Sequence, residues 1–408
     1  MNKEKNFSLP IHIQNGNSYI DAVNEKIDYY ENRFNELLKM NHIKEKRKIK
    51  YSLKVLKKQK GNINYIFNKF LSGELVIALE VLKKIIEKNK KILVFPINKA
   101  NAFKGNPIHT ERTNSIDSLY LVRGRIVDSY QKLNFNEMFH IPLDQRSKVN
   151  TYRYSIPGVP ALYLACNSYT VWNELNNPNL ENLAISYLNC EGILQKKIID
   201  ISLMIDEYYN YLIKENYEDI KRKDPNKIDF IIETMKIIPL IIACSVVCDD
   251  KNDRYFKEEY VFPQLLMQLL DKNCIGIAYR SMRIEKANII SNNLAIPILD
   301  FEKNKKYGNI VNYISVSDSL NIGYFNNMIY NTLNLRNTIQ IANGPGAKIR
   351  KNVFDTNPKN ITFTFNKKLM FDHATYDKQT FYKDSIFYYF DEYLLFLYNS
   401  NIISNDEN

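Results

Sequence analysis

The tightest constraint on this chain lies between residues 153 and 174, where Pro157 and Pro160 bracket Gly158. Each proline fixes its own φ and biases the residue before it towards extended backbone, while glycine supplies a position free to reverse direction. The chain must turn here. The turn leads into the apolar run Ala161 to Ala165, which reads as a buried strand. Ser168 then offers an N-cap for a helix carrying Val171, Trp172 and Leu175, with Glu174 in its second turn. Arg153 and Tyr163 each lie five residues from Gly158, so doubling back predicts them roughly opposite one another on one face. A cation, an aromatic ring and a carboxylate thus come from one strand–turn–strand–helix unit.

The flanking sequence has other textures. From Tyr19 to about Lys91 apolar residues recur at spacings of three and four (Ile20, Val23, Ile27, Tyr30, Phe34; Leu75, Ala78, Leu79, Leu82), with Gly61 and Gly73 as punctuation. This predicts a helical N-terminal domain over 1–95. Residues 96–117, with Pro96, Gly105, Pro107 and several Asn, read as a linker. A strand is expected at Leu119 to Val127. Further short strands are expected at Leu183 to Tyr187, Lys197 to Ser202 and Ile275 to Tyr279, and a helical excursion from Met204 to Met235. Together these place a mixed α+β domain over 118–300. Residues 301–408 read as a C-terminal extension packing on it, with short alternations at Ile310 to Val316 and Ile361 to Phe365, a Gly344-Pro345-Gly346 turn and an aromatic end.

Composition excludes several classes. The chain is 45% apolar and 25% charged, ordinary for a folded protein. Its five cysteines are scattered without a Cys-x-x-Cys, which suits free thiols in a reducing compartment. No apolar leader opens the sequence, and the longest apolar run, Ile237 to Cys248, falls short of the about 20 residues a membrane helix needs. These features predict a cytoplasmic protein with no membrane partner. The net charge of +11 is concentrated in Lys44 to Lys60, where nine basic residues face one acid. Such a helix could meet nucleic acid, an acidic partner or anionic lipid, or be a solvated face.

The histidines (His12, His42, His109, His140, His373) form no ligand spacing, and no metal is expected. Gly-x-Ser-x-Gly and Gly-x-Gly-x-x-Gly are both absent. Cleavage of an N-glycosidic bond to nicotinamide needs none of these. The pyridinium leaves as a neutral molecule without a general acid. The site need only stabilise an oxocarbenium-like state with a carboxylate, clamp phosphate with arginine and hold the ring against an aromatic. Glu174, Arg153 and Tyr163 are residues of those types.

The motifs Tyr152-Arg153-Tyr154-Ser155, Pro157-Gly158, Leu162-Tyr163-Leu164 and Glu174, eleven residues past Tyr163, resemble the RES domain, a family of NAD-degrading bacterial toxins. Leu121-Val122-Arg123-Gly124-Arg125 looks like the family's opening strand, and Gly276-Ile277-Ala278-Tyr279-Arg280-Ser281 like its last motif. The likeness covers roughly 118–300, in a subgroup with a helical N-terminal extension. It departs from the pattern at Thr151-Tyr152, where many members have Gly-Gly, and in the long segment 176–259.

The resemblance implies an ADP-ribosyltransferase-like mixed sheet in which NAD is the substrate and no separate cofactor is held. Arg153 would bind the NAD phosphates, Tyr163 and Tyr154 would contact the substrate, Glu174 would stabilise the oxocarbenium, and Ser281 would bond substrate at the cleft floor. Arg123 would support the phosphates or form a structural salt bridge. The acceptor stays open between water, phosphate and a macromolecule, as does an inactive RES-like scaffold that binds nucleic acid through Lys44 to Lys60. A NAD-depleting enzyme also needs restraint. That could come from an antitoxin or other regulatory partner, or from the chain's own flanking segments responding to a trigger such as phage infection. Self-association into a homo-oligomer is equally open.

Overall fold

The computed structural model describes residues 9–13, 18–104, 118–213, 222, 225–248, 255–284, 291–300, 305–327 and 385–399. The expected turn at Gly344 and alternation at Ile361 to Phe365 lie outside them.

The strands are β1 (Ile11–Ile13), β2 (Val94–Pro96), β3 (Tyr120–Ile126), β4 (Ala161–Ala165), β5 (Leu183–Asn189), β6 (Lys197–Asp200), β7 (Val246–Cys248), β8 (Cys274–Arg280), β9 (Asn292–Pro297), β10 (Ser315–Val316) and β11 (Leu320–Asn321). Helices α1 (Tyr19–Glu36), α2 (Lys46–Leu71), α3 (Leu75–Lys88) and α4 (Lys90–Leu93) precede the sheet. They are followed by α5 (Ser168–Glu174), α6 (Ile205–Ile213), α7 (Pro225–Thr234), α8 (Ile238–Ala243), α9 (Val261–Gln268) and α10 (Ile386–Asn399). The architecture is α+β. Nine strands form one mixed sheet in the order β10-β5-β3-β4-β9-β8-β6-β2, with β11 also on β5.

The helical periodicity is realised in α1, which buries Val23, Ile27, Tyr30 and Phe34, and in α3, which buries Ala78, Leu82 and Ile85. Ser18 caps α1 by accepting from the Asp21 N–H. Gly73, at φ +77°, ends α2 in the left-handed conformation that glycine tolerates best. Gly61 does not interrupt the helix. It sits inside α2 with no atom within 4 Å of where a Cβ would be, so nothing but its intrinsic propensity opposes the helix there.

One core runs from Tyr19, Ile27 and Leu56 through Ile232, Ile242 and Leu266 to Ile277 and Ala295. The leading helices therefore share their interior with the 199–270 segment and with one face of the sheet. The N-terminal strand is also held, β1 pairing parallel to β7. The stretch expected as a linker starts as ordered structure: β2 pairs with β6, Ile97, Ala102 and Phe103 are buried, and the Ala102 N–H donates to buried Asp200. On the basic helix, Lys48, Lys57 and Lys60 pair with Asp229, Glu31 and Asp28. Among the described residues no helix is long and apolar enough to cross a membrane.

Strand register decides which side chains meet. Residues directly opposite share a face, and neighbours along a strand alternate. Tyr163 stands opposite Ala295, which stands opposite Ile277; Ala165 stands opposite Asn293, which stands opposite Tyr279. All six lie on one face. Leu162, Leu164, Ala278 and Leu294 line the reverse face with Phe103 and Phe139. Val122 stands opposite Ala165, so Arg123 and Arg125 leave β3 towards the reverse face.

Candidate active site

The Pro/Gly turn forms as the sequence requires, but it is tighter than a hairpin of full strands. Gly158 takes φ +70°, and a single bridge, Ile156 to Val159, closes it. Arg153 therefore lies in a turn before the bridge and is not the strand partner of Tyr163. β4 pairs instead with β9 and, at one residue pair, with β3. A hydroxyl lock holds the 152–155 turn: the Ser155 Oγ accepts from the Tyr152 N–H and donates to the Tyr152 carbonyl.

The two halves nevertheless connect. The Tyr163 hydroxyl donates to the Tyr154 carbonyl at 2.6 Å. The Tyr154 ring stacks on Tyr279 with centroids 3.9 Å apart. Tyr279 stands opposite Asn293, whose amide donates to Glu174 Oε1 at 2.7 Å. Tyr154, expected among the substrate contacts, thus contributes its carbonyl; its ring is 2% exposed and packed into the core.

Glu174 is the last residue of α5. The helix is capped by Asn167, not by Ser168: the Asn167 side chain accepts from both the Thr170 N–H and the Thr170 hydroxyl. It ends in two left-handed asparagines, Asn176 and Asn177, a conformation that asparagine tolerates. The Glu174 side chain is 34% exposed, with one oxygen on Asn293 and the other 3.8 Å from Arg283 Nε. Arg283 is itself tied to Asn176. Ser281 is fully buried at the same end, where its Oγ accepts from the Arg283 N–H and its own N–H donates to Ser291. Carboxylate, amide and guanidinium form one cluster, which the Ser281 hydroxyl joins through the Arg283 backbone.

The aromatic wall pairs Tyr163 with Tyr152, rings edge to face at 5.6 Å, and Tyr152 is half-exposed. Burial is the main cause of the Tyr163 phenol's raised pKa, so it serves as a donor and a flat surface, not as a base. The two arginines expected to meet phosphate differ. Arg153 donates to the carbonyls of Glu259 and Cys244 and lies over the Tyr260 ring, bracing the turn against the neighbouring segment. Among the described residues, the buried Nε and Nη1 atoms of Arg123 have no hydrogen-bond partner and no carboxylate answers its charge. Burial, then Arg125, loosens its proton, while Tyr163 and Tyr152 lie close enough to offset part of that effect. β3 and β4 are joined only at Val122 and Ala165, so beyond that pair, towards Arg123 on one strand and Tyr163 on the other, the two strands are not laddered together.

Asn293, Arg283 and Tyr152 were not among the residues singled out by the sequence. Tyr152 stood within a quoted motif but was given no role. Asn293 carried no local signal, since its place is set by pairing between β8 and β9. Among the described residues no group of three or more His, Cys, Asp or Glu could hold a metal ion.

No family model matches the chain. A stretch of 173 residues, 40% of this chain, is 34% identical to a Bacillus subtilis protein named "Putative toxin YopC". The match spans 37% of that protein's length. No solved structure matches.

Proposed function

We propose that the chain is an NAD-consuming effector enzyme, with an ADP-ribosyltransferase-like site of the RES type, that cleaves the bond between nicotinamide and ribose. The observation that carries this reading is the presence of both a partly exposed, amide-anchored carboxylate, Glu174, and a buried arginine, Arg123, with no answering carboxylate among the described residues. A dinucleotide brings both complements: a glycosidic carbon that becomes cationic and a pyrophosphate that is anionic. The likeness to a toxin-named protein fits an effector role.

In the reaction the C1′–N bond breaks and its electron pair leaves with nicotinamide, which departs neutral. Positive charge develops on the ribosyl carbon, where the Glu174 carboxylate stabilises it. Asn293 holds that carboxylate in place, and the Tyr152–Tyr163 pair offers the nicotinamide ring an aromatic wall. Arg123, reached where β3 and β4 part, is the anion partner, and Arg153 braces the 152–155 turn. Water, or phosphate, then adds to the carbon, and water's surplus proton passes to Glu174 or solvent.

Incubation with NAD tests this. Free nicotinamide should appear with wild-type protein and fall at least about a hundredfold in Glu174→Gln. Undiminished release by the variant would remove Glu174 from the mechanism. Label from adenine-labelled NAD retained on a polymer would instead identify a transferase.

A further inference from the structure

Helix α5 has seven residues, well below the about 12–15 that an isolated helix needs to persist in water. Its position, and that of Glu174 at its end, must come from what surrounds it. One side rests on β3, where Gly124 permits the approach: a Cβ there would collide with Val171 Cγ1. The other side rests on α10, more than two hundred residues later. The Phe387 ring lies 5.2 Å from Trp172 and 5.5 Å from Tyr169, centroid to centroid.

At the start of α5 the contact becomes polar. Both carboxylate oxygens of Asp391 accept from the Ser168 N–H, at 3.0 and 3.2 Å, and the Ser168 hydroxyl donates to the Phe387 carbonyl at 3.2 Å. Asp391 is 0% exposed. A buried carboxylate is costly unless its surroundings answer the charge, and the first N–H groups of a helix do so with the positive end of the peptide dipoles. Asn167 takes the Thr170 N–H and Asp391 takes that of Ser168, so two of the otherwise open donors of the first turn are bound.

Resting on the NAD-cleavage reading above, we propose that Asp391 is a positioning residue for Glu174. Helix α10 acts as a splint that fixes α5 at its first residue, so that its last residue meets Asn293. The C-terminal segment is then a working part of the site.

Trp172 is the chain's single tryptophan and lies on α5 against α10, so its fluorescence reports this contact without reference to activity. In Asp391→Asn and Asp391→Ala, Trp172 emission should shift to the red and become more accessible to acrylamide. The kcat for nicotinamide release should fall about tenfold with KM changed less than about twofold, because the substrate-binding walls are not on α5. Ser168→Ala should move both readouts in the same direction by less, and it carries the test with Phe387→Leu where an Asp391 variant fails to fold. Unmoved Trp172 emission overturns the proposal. So does shifted emission with intact kcat, or a kcat loss matched by loss of folded protein in circular dichroism. If wild-type protein releases no nicotinamide, the NAD reading falls alone, and Trp172 emission still decides whether Asp391 holds α5.

Discussion

The carboxylate and cation ends of the candidate site are built on opposite terms. At the carboxylate end polar groups are matched: Glu174 has Asn293 and Arg283, Ser281 has Arg283 and Ser291. At the cation end Arg123 keeps two buried donors without a partner among the described residues. The first arrangement suits a group that must be in place before charge develops, since a preorganised dipole needs no rearrangement during reaction. The second suits a group whose partner arrives with the substrate. A buried cation that no carboxylate answers among the described residues fits the anion-binding role proposed above.

The sharpest way to break this contrast is Arg123→Leu. If the cation waits for a substrate anion, the variant should bind NAD about a hundredfold more weakly while the free protein becomes about 1–3 kcal/mol more stable to urea. Loss of both binding and stability would make Arg123 structural.

The reverse face offers a second measurement. The His140 ring accepts from the Gly308 N–H at Nε2 and faces the Ile141 carbonyl at Nδ1, the pattern of a neutral tautomer. Burial, with Arg123 adding to it, depresses its pKa to about 4, against about 6.5 unfolded. The unfolded chain therefore binds the extra proton between those values. The stability contribution is whole above the unfolded pKa and is lost as pH falls towards the folded one. Between pH 7.5 and 5 this amounts to about 2 kcal/mol, which His140→Gln should remove from urea-unfolding curves. Arg123→Leu should shrink it.

At the carboxylate end, Asn293→Ala should lower kcat about tenfold with little change in KM. Equal losses in both would move Asn293 to the binding wall. The smallest effect is a control far from the cleft: Gly61→Ala, in open space inside α2, should add about 0.5–1 kcal/mol of stability and leave turnover unchanged.

What the sequence made legible follows the range of the interactions. Ala161–Ala165 forms the expected strand and Gly158 the expected turn, because both depend on residues within reach of each other. The N-cap was displaced by one residue: Asn167 and Ser168 are both capping types, but Ser168 is committed to α10 by its hydroxyl and its N–H. The pairing of Arg153 with Tyr163 failed because β9, over a hundred residues away, supplies β4 with its partner. Asn293 was illegible for the same reason, in a chain rich in asparagine. Residues 96–103 read as a linker by their Pro and Asn, yet Ile97, Ala102 and Phe103 are buried under contacts that no local pattern encodes.

The separation between α5 and α10 along the chain has a consequence during synthesis. A ribosome adding about 5–20 residues per second takes roughly ten to forty seconds to travel from Glu174 to Asp391. Through that interval the nascent chain carries its acidic residue on a short helix with no splint, and Ser281 and Asn293 emerge only midway. On the NAD-cleavage reading proposed above, the site would stay inert until Asp391 has been made, with the order of the elements serving as a timer.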